Sequence, residues 1–75
     1  MDDLTERLAM NLRRLRRKER WTQEELADRV GLSVRYVGQV ERAQASMRVI
    51  VLGRFASAFG VDATELVKRK RGAKE

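Results

Sequence analysis

Cysteine, histidine and proline are all absent from the 75 residues. Without cysteine there is no disulfide and no thiolate nucleophile. Without histidine there is no imidazole base, and the common zinc ligand sets disappear with the pair. A reducing cytoplasm suits such a chain. No apolar run approaches the roughly 18 residues that span a bilayer. The opening "MDDLTERLAM" is acidic, where a signal peptide is basic and then apolar. The expectation is a cytoplasmic protein with no membrane partner. A chain this short forms one domain and buries only about 60% of its unfolded surface, so a deep enzymatic cleft is not expected. Its carboxylates fall mostly at helix starts, where Glu25 and Glu65 read as caps. Neither an enzyme nor a cofactor or metal site is indicated.

What the chain does have is positive charge. Seventeen Lys and Arg against 11 Asp and Glu give +6, and the cations cluster in "RRLRRKER" (residues 13–20) and "KRKR" (residues 68–71). A polyanionic partner is the first hypothesis, against the plainer reading of charge that keeps a small protein soluble.

Leu4, Leu8, Leu12 and Leu15 recur at spacings of three and four, which predicts an amphipathic helix over about residues 3–19. Thr22 and Glu25 form a capping-box pattern for a second helix that ends at Val30 and buries Leu26, Ala27 and Val30. Gly31 supplies the positive φ of a helix end, and Ser33 caps a third helix running to about Glu41. After "RAQAS", a fourth helix is expected over about residues 47–59, with Val49, Leu52, Phe55, Ala56 and Phe59 inward and Gly60 as its stop. Asp62 and Glu65 repeat the capping-box pattern for a short fifth helix carrying Leu66 and Val67. Nothing reads as a strand. The predicted division is a domain over 1–67 and a basic tail over 68–75, the tail offering extra phosphate contacts, a localisation signal or simply a solvated terminus.

In the third helix Val37 and Val40 face inward. That leaves Val34, Arg35, Gly38, Gln39 and Arg42 on the opposite face. Arg bonds guanine bidentately, Gln bonds adenine bidentately, an aliphatic group meets the thymine methyl, and Gly38 leaves room for close approach. An ordinary solvated helix face is the competing reading, and the tight helical turn before it in a basic chain counts against that.

"TQEELADRVGLS", "VRYVGQVER" and "LGRFASAFGVDATELV" together resemble the phage repressor and Cro type of helix-turn-helix domain, the XRE family. The resemblance covers about residues 8–67. It implies an all-α, compact five-helix, lambda-repressor-like domain that binds double-stranded DNA as a homodimer and regulates transcription without a small-molecule ligand. The third helix would enter the major groove and the second would lie across the backbone. By position, the resemblance makes Ser33, Val34, Arg35 and Gln39 base-reading candidates, and Thr22, Gln23, Arg42 and Gln44 phosphate-contacting ones. Tyr36 suits either core packing or a phosphate. It also aligns Arg16 and Glu41 as an ion pair between the first and third helices.

Three departures stand out. Arg20 and Ala43 occupy positions where the family usually has glycine, and Ser46, Met47 and Arg48 replace a usual Asn-Pro-Ser/Thr helix start. Among relatives, the chain is similar to the small controller proteins of restriction-modification systems. An autoregulatory controller is one expectation, and an antitoxin-type regulator with a protein partner is the alternative. Ile50 and Val51 cannot both face the core, so a two-fold interface is expected from Met47, Ile50, Val51, Val61, Leu66 and Val67.

Overall fold

Leu8, Leu12 and Leu15 line the buried side of α1 (Leu4–Lys18), whose first turn is capped by Asp3 accepting from the Glu6 amide at 3.0 Å. The computed structural model describes residues 3–69. Four further helices follow: α2 (Gln23–Val30), α3 (Val34–Glu41), α4 (Val49–Phe59) and the single turn α5 (Thr64–Val67). Among the described residues there is no strand.

Thr22 and Glu25 close the capping box before α2. The threonine hydroxyl accepts from the Glu25 amide at 3.0 Å, and the Glu25 carboxylate accepts from the Thr22 amide at 2.7 Å. Ser33 caps α3 by accepting from the Tyr36 amide at 3.1 Å. The first four helices end in the same way, with the chain turning back through a left-handed residue so that a later amide reaches a carbonyl of the last turn. The pairs are Trp21 to Arg16, Leu32 to Ala27, Gln44 to Gln39 and Val61 to Ala56. Gly31 and Gly60 supply that conformation after α2 and α4, but Arg20 (φ 62°) and Ala43 (φ 59°) supply it after α1 and α3. Both glycine departures are therefore met by L-residues in the left-handed region, at a cost of about 1–2 kcal/mol each.

The core gathers all five helices. Leu12, Leu26, Val37, Val40, Phe55 and Leu66 are fully enclosed, with Leu8, Leu15, Ala27, Val30, Ala56 and Phe59 around them. α1 packs on α3 and α5, α2 on α3 and α4, and α4 on α5. Burying each of the large apolar side chains stabilises the fold by about 1.5–3 kcal/mol. At one edge Trp21 stacks on Phe59, ring centroids 5.4 Å apart, and the Arg29 guanidinium lies 4.2 Å over the indole.

Four expectations need correction. Leu4 extends the leucine stripe in sequence but is exposed, because nothing among the described residues covers it. α4 begins at Val49 rather than Met47 and has no side-chain cap. Val49 lies in line with Ala56, seven residues on, yet it is 83% exposed because the first turn of α4 extends beyond the core. Asp62 and Glu65 form no capping box. Asp62 accepts from the Thr64 amide and hydroxyl at 2.9 and 3.0 Å, while Glu65 pairs with Lys68 at 2.8 Å. The Thr64 amide and then its hydroxyl hold the Asp62 carboxyl below its ordinary value, and Lys68 does the same for Glu65. These contributions are present at neutral pH and are lost as acid protonates the two carboxylates.

α5 is held chiefly by α1. Asn11, buried within the leucine stripe, donates to the carbonyls of Leu66 and Lys68 at 2.9 and 3.0 Å. Arg7 donates to the Val67 carbonyl at 2.9 Å. Together they satisfy the carbonyls of Leu66 and Val67, two of those that one helical turn leaves open, and that of Lys68 just beyond. The basic tail beyond Arg69 lies outside the described residues.

Candidate nucleic-acid interface

Gly31 lets α2 and α3 meet with only Gly31, Leu32 and Ser33 between them, and Leu32 packs against the core. α3 then buries Val37 and Val40 and turns Val34 (42% exposed) and Arg35 outward, with Gln39 half-buried. Ser33 is exposed as the cap, so the base-reading candidates Ser33, Val34, Arg35 and Gln39 all lie on α3 or its cap. An exposed guanidinium one turn before an amide is a combination suited to purine edges.

The orientation of this helix is fixed from below. Glu41, 3% exposed, receives Arg16 through two bonds, Nε to Oε2 at 2.7 Å and Nη2 to Oε1 at 3.1 Å. Arg16 also donates to the Trp21 carbonyl at 2.9 Å, and Gln23 donates to Glu41 Oε1 at 3.0 Å. Arg13 adds a bond to the Glu41 carbonyl. One carboxylate thus joins α1, the start of α2 and the end of α3, and a forked guanidinium holds it in a defined plane. Sequence reasoning placed Arg13 in a basic cluster. Its role in the α3 end had no signal beyond lying three residues before Arg16.

The phosphate candidates separate by environment. Thr22 is the exposed cap of α2 and Gln23 its half-buried first residue. The Tyr36 ring packs on the core while its hydroxyl donates to the Ser46 carbonyl at 3.1 Å. Arg42 and Gln44 are exposed and bonded to each other, Arg42 Nε to Gln44 Oε1 at 3.1 Å.

Gly38 differs from its expected place. It is buried, and the space where its side chain would be is taken: a Cβ there would lie 3.1 Å from Arg42 Nη1 and 3.8 Å from Gln23 Oε1. The room at Gly38 accommodates a neighbouring guanidinium of the same chain. A glycine inside a helix costs about 1 kcal/mol relative to alanine, so this opening is maintained against helix propensity.

The dimer candidates also divide. Ile50 is 80% exposed beside Val49, whereas Val51 is half-buried against the core. Met47, Val61 and Val67 are half-buried. Leu66 is a correction: it is fully enclosed within its own chain and presents no surface to a second copy. A groove of about 130 Å³ lined by Leu4, Leu8, Met47, Leu52 and Val67 opens among α1, α4 and α5. No helix among the described residues is long and apolar enough to cross a membrane.

Comparison with known proteins gives a consistent picture. The helix-turn-helix family model HTH_3 matches residues 12–66. An uncharacterized HTH-type transcriptional regulator, y4dJ, of Sinorhizobium fredii is 40% identical over 65 residues, which is 87% of this chain and 84% of the relative. The crystal structure of a hypothetical transcription factor from Neisseria superposes with a TM-score of 0.85 at 39% identity, covering 88% of this chain and 76% of that one. The restriction-modification controller protein C.AhdI from Aeromonas hydrophila superposes with a TM-score of 0.79 at 34% identity, covering 83% and 94%.

Proposed function

The chain belongs to the HTH_3 helix-turn-helix family, whose relatives are transcriptional regulators, and on that premise we propose a sequence-specific DNA-binding regulator acting as a homodimer on a palindromic operator. The observation that carries this reading is the outward face of α3. Arg35 is exposed at its second position and Gln39 lies one turn on, while Glu41 ties the helix end to α1 and α2. Arg35 and Gln39 are assigned to base edges, with Val34 against a thymine methyl and Ser33 at the groove edge. Thr22, Gln23, Tyr36, Arg42 and Gln44 are assigned to the phosphates, which set orientation and most of the salt-sensitive affinity.

The homodimer is supported by the uncovered first turn of α4. Val49 and Ile50 stand in water beside an apolar groove, an arrangement that a second copy covers. The interface is drawn from Met47, Val49, Ile50, Val61 and Val67, with Val51 at its inner edge. A two-fold axis there would set the two α3 helices about one DNA turn, roughly 34 Å, apart. Likeness to a restriction-modification controller supports the finer reading of a controller acting at its own promoter.

The test is selection from random duplexes with the purified protein. The expected result is a two-fold symmetric site with half-site centres about 10 base pairs apart. Recovery of no sequence preference would overturn the proposal.

A further inference from the structure

We propose that Gly38 is a positioning residue for Arg42: its missing side chain opens a seat on α3 for the Arg42 guanidinium, and Gln44 holds it there before any DNA arrives. This rests on the reading of Arg42 as a phosphate contact. The seat follows from a chain of local geometry. Ala43 takes the left-handed conformation (φ 59°), which turns the chain so that the Gln44 amide donates to the Gln39 carbonyl at 2.8 Å. That bond fixes Gln44 beside the last turn of α3. Its side-chain oxygen accepts from Arg42 Nε at 3.1 Å. The guanidinium is then left close over Gly38, with Nη1 3.1 Å and Cζ 3.8 Å from where a Cβ would stand. Gln23 Oε1, 3.8 Å from the same point, places the start of α2 at the seat as well.

The consequence is preorganisation. A free, exposed arginine loses rotamer freedom when it binds a phosphate, and a side chain already held by a neighbouring amide loses less. The seat lies where the start of α2 comes up beside α3, with Gln23, another residue assigned to the DNA backbone, at its edge. Glycine is the one residue that leaves it open. Alanine would force the guanidinium to give by a few tenths of an ångström, and a longer side chain would occupy its place.

The experiment uses the full chain and a mixed-sequence duplex, since a phosphate contact needs no particular site. Gly38→Ala and Gly38→Met are compared in the parent and in an Arg42→Ala background, with affinity read across a salt series. Both substitutions favour helix, and circular dichroism checks that it is retained. Gly38→Met is expected to weaken binding about 3–10-fold and to flatten the slope of log affinity against log salt by about one, as loss of one phosphate contact does. On the Arg42→Ala background it should do neither, and Gly38→Ala should fall between parent and Gly38→Met. An equal loss on both backgrounds, or an unchanged slope, overturns the seat.

A readout without DNA separates the two claims. In the free protein the Arg42 Nε proton should exchange slowly, and faster in Gly38→Met and in Gln44→Ala. Equal exchange in all three overturns the seat even if DNA binding stands. Slow parental exchange with no salt-dependent DNA binding overturns the DNA reading instead, and the inference falls with it.

Discussion

Ala43 and Arg20 show how one residue can carry strain for the turn it makes. Both sit at φ near +60°, where Gly31 and Gly60 do the same work without a Cβ. Ala43→Gly should raise stability by about 0.5–1 kcal/mol, the relief of left-handed strain less the larger unfolded-state entropy of glycine. Gly31→Ala should lower it by about 1 kcal/mol, and thermal unfolding would register each as a shift of several degrees. A fall in melting temperature for Ala43→Gly would show that the turn is held by something other than its backbone. The pair Arg16 and Glu41 makes the second prediction at this scale. Glu41 is enclosed and shared among Arg16 and Gln23, so Glu41→Gln or Arg16→Met alone should cost about 3–5 kcal/mol by leaving a buried charge unpaired. The double substitution should cost clearly less than the sum of the two, as thermal unfolding of all four proteins would measure. Strict additivity would mean that the pair does not interact.

Among the elements, the best-read helices are those whose sequence carries a hydroxyl cap. α2 and α3 are each marked by a hydroxyl cap, and their boundaries, the buried face of α2 and the inward Val37 and Val40 of α3 are legible in the sequence, whereas Gly38, read as outward, is buried. α4 has no capping side chain, so spacing alone puts its start at Met47 and turns its exposed first turn inward through Val49. Periodicity gives the phase of a helix but not where the core ends. The same reasoning failed at α5, where Asp62 turns to Thr64 and the helix is instead fastened by Asn11. A signal was present, since Asn11 falls three residues after Leu8 and four before Leu15, a polar group inside an apolar stripe. Asn11→Ala should leave the carbonyls of Leu66 and Lys68 without that donor and destabilise the protein by about 1–3 kcal/mol. Hydrogen exchange of the α5 amides should rise more than that of α3, and a uniform rise would argue that α5 is held elsewhere.

For the whole molecule, the outward face of α3, proposed above as the reading surface, is marked in the sequence because its residue types and its place after a tight turn point the same way. The inner wiring of Glu41 through Gln23 and Arg13, and the filling of the Gly38 gap by Arg42, depend on side-chain paths that spacing does not encode. Assembly is the next level. Val49→Glu with Ile50→Glu should give a folded monomer that loses cooperative operator binding but keeps weak, salt-sensitive affinity for any duplex. Sedimentation equilibrium at micromolar concentration decides it, and a persistent dimer would place the interface away from α4.

The measurement that bears most directly on α3 as the reading helix is duplex selection run in parallel with the parent and with Arg35→Ala. The parent should yield a symmetric motif, and Arg35→Ala should yield the same motif with preference lost at one base pair in each half-site, at a cost of about 1–3 kcal/mol on the parental site. An identical motif from both proteins, bound equally well, would contradict the assignment of α3 to the bases.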